Sequence, residues 1–421
     1  MDIIKLVRSE EKRIIEYRRY FHENPELAGL EDNTVAFICK ELDSFGIPYV
    51  NVDKGGVLAT IDSGKEGKTL LLRADIDALP IEEDSCNFAG KPKPVVSKVK
   101  GVQHACGHDG HTAMLLVAGK ILNEIKDQFV GKVILCFERG EEAAYNVRYL
   151  LDYMVKENIK IDAGFGMHIS VQETNGEITI QSGPLMAGMM VFDFKLIGKG
   201  GHGSRPDQSS NPIDCFAAIY KGIADMRMTR INPFEPLTYS ICNLHAGSKA
   251  NIIPDELSFS GTVRYYNMED VAYRFREGML EVVEETAKIY HCKAEYKIPS
   301  GSLPNINNDV LTAVARDGIG KLFKSDIIEG EPWMGSESFA YYSLLFPTVF
   351  IFLGVGNEEK GILAGVHTSK HDLDEDQLYK GSCAHISYAL EYLNRDINID
   401  HEKTERSIKE IFEELGYPMS E

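Results

Sequence analysis

Four short apolar runs in this chain each break into ionisable residues. Thr69–Leu72 runs into Arg73, Asp75 and Asp77, and Val133–Phe137 into Glu141 and Glu142. Ala163–Met167 runs into His168, and Thr348–Leu353 into a glycine-containing loop and then His367. Short apolar runs bounded by turn signals read as strands buried on both faces. Alternated with helical patterns, such strands build an α/β sheet. Sites in open sheets of this kind form beyond the carboxyl ends of the strands. The four polar endings are therefore expected to converge on one rim.

At 421 residues the chain exceeds what one core usually organises, so two domains are expected. Its apolar content of 43% and charged content of 26% fit a globular protein. The formal net charge of -19 argues against nucleic acid and anionic membrane surfaces as partners, since both need basic patches. No uncharged run approaches membrane-spanning length, and Met1–Glu11 lacks the apolar core and cleavage site of a signal peptide. Eight cysteines, at 39, 86, 106, 136, 215, 242, 292 and 383, show no repeated tight spacing. A reduced, cytoplasmic protein is expected, with seven cysteines buried as apolar residues and Cys106 set apart by its neighbours.

Periodicity predicts helices over 3–22 (ended by Asn24-Pro25), 33–45 (stopped by Gly46), 112–125 and 143–156. The style changes near 185. Residues 190–197 and 257–264 alternate as half-exposed strands, with helices over 212–226 and 269–289 and a strand over 295–298. Helices over 308–322, 375–394 and roughly 401–415 follow. The expected architecture is α/β: a discontinuous catalytic domain with a mostly parallel sheet over 1–184 and 300–421, carrying an inserted α+β domain over 185–299.

The densest chemistry lies in His104-Ala105-Cys106-Gly107-His108-Asp109-Gly110-His111. Cys106 and His108 fall just before the helix expected from Thr112, where a helix N-terminus stabilises a thiolate and makes it a better metal ligand. An isolated Cys-x-His is more often structural; three histidines and an aspartate within eight residues favour a site. Asp75, Asp77 and Asp109 are candidate acceptors for the second ring nitrogen of a metal-bound histidine. Glu141 and Glu142 cannot both coordinate comfortably from one turn, so one is expected as a ligand and one as a free general base. Local spacing does not say which, and an acidic pair opening a helix is the alternative.

These residues, in this order, resemble the metal-dependent amidohydrolases that include N-acyl-amino-acid hydrolases, hippurate hydrolase and auxin-conjugate hydrolases, with aminoacylase and carboxypeptidase G more distant. The resemblance covers roughly residues 10–395. Its blocks include Arg18–Glu26, Leu72–Pro80, His104–His111, the glutamate pair, Gly166-Met167-His168, Gly198–Gly203, Asn251-Ile252-Ile253-Pro254, Gly335-Ser336-Glu337 and His367-Thr368-Ser369. It implies two divalent metal ions, Zn or Mn foremost, with Co or Ni admissible. The ligands it implies are Cys106, His108, Glu142, His168 and His367, with Cys106 bridging. Glu141 becomes the general base that takes a proton from metal-activated water and passes it to the leaving amine. The insert is implied to be a lid that also forms a homodimer. Within it, His202 would stabilise the oxyanion, and Asn251 and Arg264 would meet a substrate carboxylate. Asp77 and Asp109 would orient metal-bound histidines.

The implied substrate is a small N-acyl amino acid or peptide-like amide. A dipeptidase or carboxypeptidase with the same centre is the nearest alternative, and a non-catalytic metal-containing binder the next. Several positions depart from the family pattern. Phe137-Glu138-Arg139-Gly140 replaces Phe-Gln-Pro-Ala, and Ala143-Ala144-Tyr145-Asn146 replaces a glycine-rich stretch. Ser338 replaces Asp, and Gly203-Ser204-Arg205-Pro206-Asp207 replaces a small-small-Met-Pro-His sequence. Arg139 or Arg205 is expected to read an acidic or polar substrate group, and Ser338 to alter the affinity of one metal position.

Overall fold

The structure, a computed structural model, describes residues 1–142, 146–297 and 300–417. The chain forms two compact units, one of 1–185, 306–331 and 338–409, the other of 186–305, 332–337 and the C-terminal segment from Glu410.

The first unit is built on an eight-stranded sheet. Its order is Tyr49–Val52, Gly56–Asp62, Lys132–Glu138, Thr69–Asp75, Ala163–Ser170, Thr348–Gly354, Ile178–Thr179 and Ile327–Ile328. The central four strands are mutually parallel. They are also the four apolar runs, each longer at one or both ends than the sequence indicates because strand pairing carries on into polar residues. Every residue of Thr348–Gly354 is buried, as is all but the first of Lys132–Glu138. Such strands lose exposure on both faces and read as continuous hydrophobic runs. Asp75 pairs with Glu138, and Phe352 with His168. This register aligns the carboxyl ends of the central strands. The helix His108–Glu124 packs against Glu11–Glu23 and Leu378–Leu393.

Two helix boundaries differ from expectation in ways that matter. The first helix is two, Ile3–Ser9 and Glu11–Glu23, with Glu10 leaving helical geometry and the Ser9 hydroxyl donating to the Leu6 carbonyl. The helix expected from Thr112 starts at His108, four residues earlier. His108, Asp109 and His111 therefore occupy its first turn rather than the loop before it. The helix expected over 143–156 is described as Val147–Lys156; residues 143–145 lie outside the described residues.

In the second unit an antiparallel sheet orders Leu237–Ala246, Glu256–Tyr265, Gly188–Ile197 and Lys293–Tyr296. Helices Pro212–Arg230 and Arg274–Ile289 pack on one another. Glu256–Tyr265 alternates strictly between buried and half-buried positions after its first residue, so one face meets the core and the other is partly open to solvent. Phe194 and Phe259 stack at the centre of that core. The strand Leu237–Ala246 has no clear sequence signature. It is mostly exposed, and a register shift between Ile241 and Asn243 breaks its alternation. The C-terminal helix is shorter than expected, Ile408–Glu414, and buries Ile411 and Phe412.

The cysteines correct one expectation. All eight are free, but beside Cys106 only Cys136, Cys215 and Cys383 are buried; Cys39, Cys86 and Cys292 are half-buried and Cys242 is exposed. Among the described residues no helix is long and apolar enough to cross a membrane.

Candidate metal centre

The site grows from the carboxyl ends of the central strands. Gly107 caps the helix His108–Glu124 in the left-handed region, φ +88°. A Cβ there would come within 2.3 Å of Ile169, so only glycine fits both the turn and the close approach. This turn sets Cys106 and His108 on either side of the helix start. Donor atoms of Cys106, His108 and His168 lie within 4.8 Å of one another, as do those of Cys106, Glu142 and His367, and those of His108, Glu141 and Glu142. The structure thus brings Cys106, His108, Glu141, Glu142, His168 and His367 into one cluster.

Hydrogen bonds fix the ring orientations. His168 Nδ1 donates to the Ile169 carbonyl at 2.5 Å. A carbonyl can only accept, so Nε2 carries the lone pair, and it sits 3.3 Å from Cys106 Sγ. His108 Nδ1 donates to Asp77 Oδ1 at 3.1 Å. The other Asp77 oxygen accepts from the Glu142 backbone N–H at 3.0 Å. Asp77 thereby holds two members of the cluster at once. His367 has φ +61°, a strained value for a residue with a Cβ. Its N–H donates to the Ala105 carbonyl at 2.8 Å, and its Nε2 lies 3.2 Å from Glu142 Oε1. Glu141 Oε1 accepts from the Ser338 N–H at 3.1 Å.

The residues fit a divalent ion. His108 Nε2 is buried with no hydrogen-bond partner, and a buried polar atom left unpaired is costly. The electrostatics favour positive charge here. Burial opposes the His108 imidazolium, but the charge of Asp75 and the hydrogen bond to Asp77 work the other way, and its pKa is raised well above the ordinary value. Burial and the nearby Glu142 push the Cys106 thiol well up; a bound cation reverses that effect and stabilises the thiolate. Burial, reinforced by His111, keeps His168 neutral, the form that ligates. A thiolate, imidazoles and carboxylates together form a borderline-soft donor set suited to Zn²⁺ and its neighbours.

Other expected residues fall elsewhere. Asp109 was expected to orient a metal-bound histidine. Instead it accepts from His22 Nδ1 at 2.7 Å and pairs with Arg18 Nε at 2.9 Å. Those two cations hold its carboxyl far below the usual range despite burial. As the second residue of the helix, it faces the N-terminal helix Glu11–Glu23 rather than the ligand cluster. Arg139 is also already engaged, with Glu31 at 2.8 Å and Asp32 at 2.9 Å. Arg205 forms a two-pronged pair with Asp207.

In the second unit, His202 and Asn251 lie side by side. Gly201–His202 pairs with Ile252–Ile253, and Gly203 N–H donates to the Asn251 carbonyl at 2.9 Å. Both residues are exposed. His202 Nδ1 accepts from the Ser204 N–H at 3.1 Å, which leaves Nε2 as the protonated, donating nitrogen. Arg264 is half-buried with its charge disfavoured by desolvation, and its Nη1 donates to the Ser336 hydroxyl at 3.4 Å.

Two braces hold these elements together, and sequence reasoning missed the part of Arg18 in the second. His111 donates to Asp75 at 2.6 Å and accepts from the Ile169 N–H at 2.9 Å, tying helix to strand. Arg18 and His22 are buried alongside Ile14, Tyr17 and Phe21. Their helical spacing with those apolar residues was the available signal: charge on a core-facing stripe requires a buried partner.

Residues 71–391 match peptidase family M20/M25/M40. Thermostable carboxypeptidase 2 of Saccharolobus solfataricus is 35% identical over 409 residues, 94% of this chain and 100% of that protein. The IAA-amino acid hydrolase ILR1-like 2 of Arabidopsis thaliana is 33% identical over 389 residues, 90% of this chain and 85% of that one. The crystal structure of the Bacillus subtilis YXEP protein, described as a dinuclear metal binding peptidase from the M20 family, superposes with a TM-score of 0.77 at 30% identity, covering 92% of this chain and 99% of that one. With a ligand-grade cluster at the strand ends and relatives matched along most of its length, the chain belongs to peptidase family M20/M25/M40 and is a metal-dependent amidohydrolase.

Proposed function

We propose that the protein hydrolyses the amide bond of N-acyl amino acids or related small conjugates. Two divalent ions, Zn or Mn foremost, would be held by Cys106, His108, Glu142, His168 and His367, with Cys106 shared. The observation that carries this reading is the donor cluster around the buried Cys106, His108 and His168, with a second carboxylate, Glu141, beside it. Bound ions would polarise the amide carbonyl and acidify water. Glu141 would take a proton from the attacking water and deliver it to the leaving nitrogen. His202, with its donating Nε2, would stabilise the oxyanion. Arg264, with Asn251, would hold the substrate carboxylate. Residues 185–299 would act as the lid and dimerisation domain of a cytoplasmic homodimer.

A second reading, a carboxypeptidase or dipeptidase on the same centre, is favoured by the resemblance to a thermostable carboxypeptidase. One experiment separates them. The protein is stripped with chelator, reloaded with Mn²⁺ or Zn²⁺, and amine release is followed from N-acyl amino acids and from free dipeptides, with Glu141→Gln alongside. Metal-dependent release from the acylated set, lost in the variant, supports the first reading. Release confined to peptides supports the second. Tight metal binding with no release from either set would overturn both and leave a non-catalytic binder.

A further inference from the structure

Two departures from the family pattern, Glu138 and Ser338, meet in the structure. Arg73 is fully buried, and each face of its guanidinium fork is used. Nε donates to Glu138 Oε2 at 2.8 Å, Nη1 to Asp75 Oδ2 at 2.8 Å, and Nη2 to Ser338 Oγ at 2.8 Å. The Ser338 hydroxyl in turn donates to Glu138 Oε1. Tyr342 donates to Glu138 Oε2 at 3.0 Å. Glu138, Asp75 and Ser338 are themselves buried. The Ser338 hydroxyl therefore accepts one bond and donates another, which fixes its rotor and the start of the segment Ser338–Leu344. The backbone N–H of that same residue reaches Glu141 Oε1.

Charge counting links the two positions. A buried guanidinium faces two carboxylates here, Asp75 and Glu138. With Asp at 338, Glu at 138 would put three carboxylates around one cation in a dry site, a strongly unfavourable arrangement. Gln at 138 with Asp at 338 keeps the count at two, and so does Glu138 with Ser338. The pair exchanges the side of Arg73 from which the carboxylate comes.

We infer that Glu138 and Ser338 form one coupled unit whose role is to position Glu141 through the Ser338 backbone N–H. They are positioning residues and do not touch the substrate. The inference rests on Glu141 being the base. It also reassigns Ser338, which was expected to alter a metal position, to the support of the carboxylate beside it.

The test uses the metal-loaded enzyme and the variants Ser338→Ala, Glu138→Gln, Ser338→Asp, the double variant Glu138→Gln with Ser338→Asp, and Glu141→Gln. Readouts are metal stoichiometry, melting temperature, and kcat and KM on N-acetyl amino acids and dipeptides. Each single change at 138 or 338 is expected to lower kcat by about tenfold or more with KM nearly constant, as misplacement of a reacting group does. Metal content stays at the wild-type level. The double variant is expected to recover both kcat and melting temperature relative to Ser338→Asp. The melting temperatures form a double-mutant cycle that reads the coupling without any substrate. Additive melting temperatures overturn the coupling. Unchanged kcat in Ser338→Ala and Glu138→Gln, beside an inactive Glu141→Gln, overturns the positioning role alone. If Glu141→Gln retains turnover, the base assignment fails and this role fails with it, and that single variant tells the two failures apart. Should Glu138→Gln not fold, Ser338→Ala and the double variant still decide the outcome.

Discussion

The ligand cluster of the first unit and the histidine ribbon of the second are built in opposite ways. In the cluster Cys106, His108 and His168 are buried, and the ring nitrogen of each of these histidines that faces away from the site is committed elsewhere, His108 to Asp77 and His168 to the Ile169 carbonyl. On the ribbon, His202 and Asn251 are exposed and held by two short strands and a few backbone bonds. The difference teaches what each can do. A site that must hold an ion in fixed geometry is placed on strand ends and a helix start and is oriented by a second layer of hydrogen bonds. A group that has only to meet a substrate can stand on a ribbon, because its own fixation costs the fold little and its loss leaves the core intact.

The comparison can be broken most sharply at Glu141. Glu141→Gln is expected to cut turnover by roughly 10²–10⁴-fold, the usual worth of a general base, with metal stoichiometry and melting temperature unchanged. A parallel loss of metal would mean that Glu141 belongs to the ligands. Next comes His202→Ala, with an expected fall in kcat of about 10²–10³-fold, as for loss of one oxyanion donor. Because the ring is exposed, thermal unfolding should not move; a marked drop in melting temperature would erase the contrast between ribbon and cluster. Asp77→Ala probes the buried side. It removes one acceptor from His108 and another from the Glu142 backbone, and metal affinity is expected to fall about 10- to 100-fold, measurable by competition with a chelating dye.

The smallest expected effect is one of pH. Glu83 accepts from His22, Lys93 and the Ser97 N–H. Burial works against its charge, but these partners prevail and bring its pKa to about 2, from an unperturbed 4.5. The folded carboxylate thus holds its proton less tightly than the unfolded one. Its stabilisation is complete above pH 4.5 and fades as pH falls toward 2. Urea midpoints of wild type and Glu83→Gln should therefore differ at neutral pH and draw together across that acidic window. A constant gap would show that the ionised form carries none of the stability.

Much of the fold was legible in the sequence because burial leaves a composition. The four central strands are apolar on both faces, and strands such as Glu256–Tyr265 alternate cleanly. The strand Leu237–Ala246 was not legible, since an exposed edge with a register shift obeys no hydrophobic period. Helix starts were misplaced at His108, where a left-handed glycine begins the helix inside a polar block that carries no apolar stripe of its own.

The sequence by itself determined the class of chemistry. Only an acidic pair, a Cys-x-His and histidines placed after apolar runs could bring thiolate, imidazole and carboxylate to one rim, and strand ends in an α/β sheet must converge there. What only the tertiary structure decided is which polar residue serves which partner. Asp77 turns to His108 while Asp109, next to it in the chain, turns to Arg18 and His22. Arg139 is consumed by Glu31, and Glu138 joins Ser338 across 200 residues of chain. The physical reason is that helix phase and strand register set the direction of each side chain, and buried polar atoms then pair with whatever those directions bring within reach.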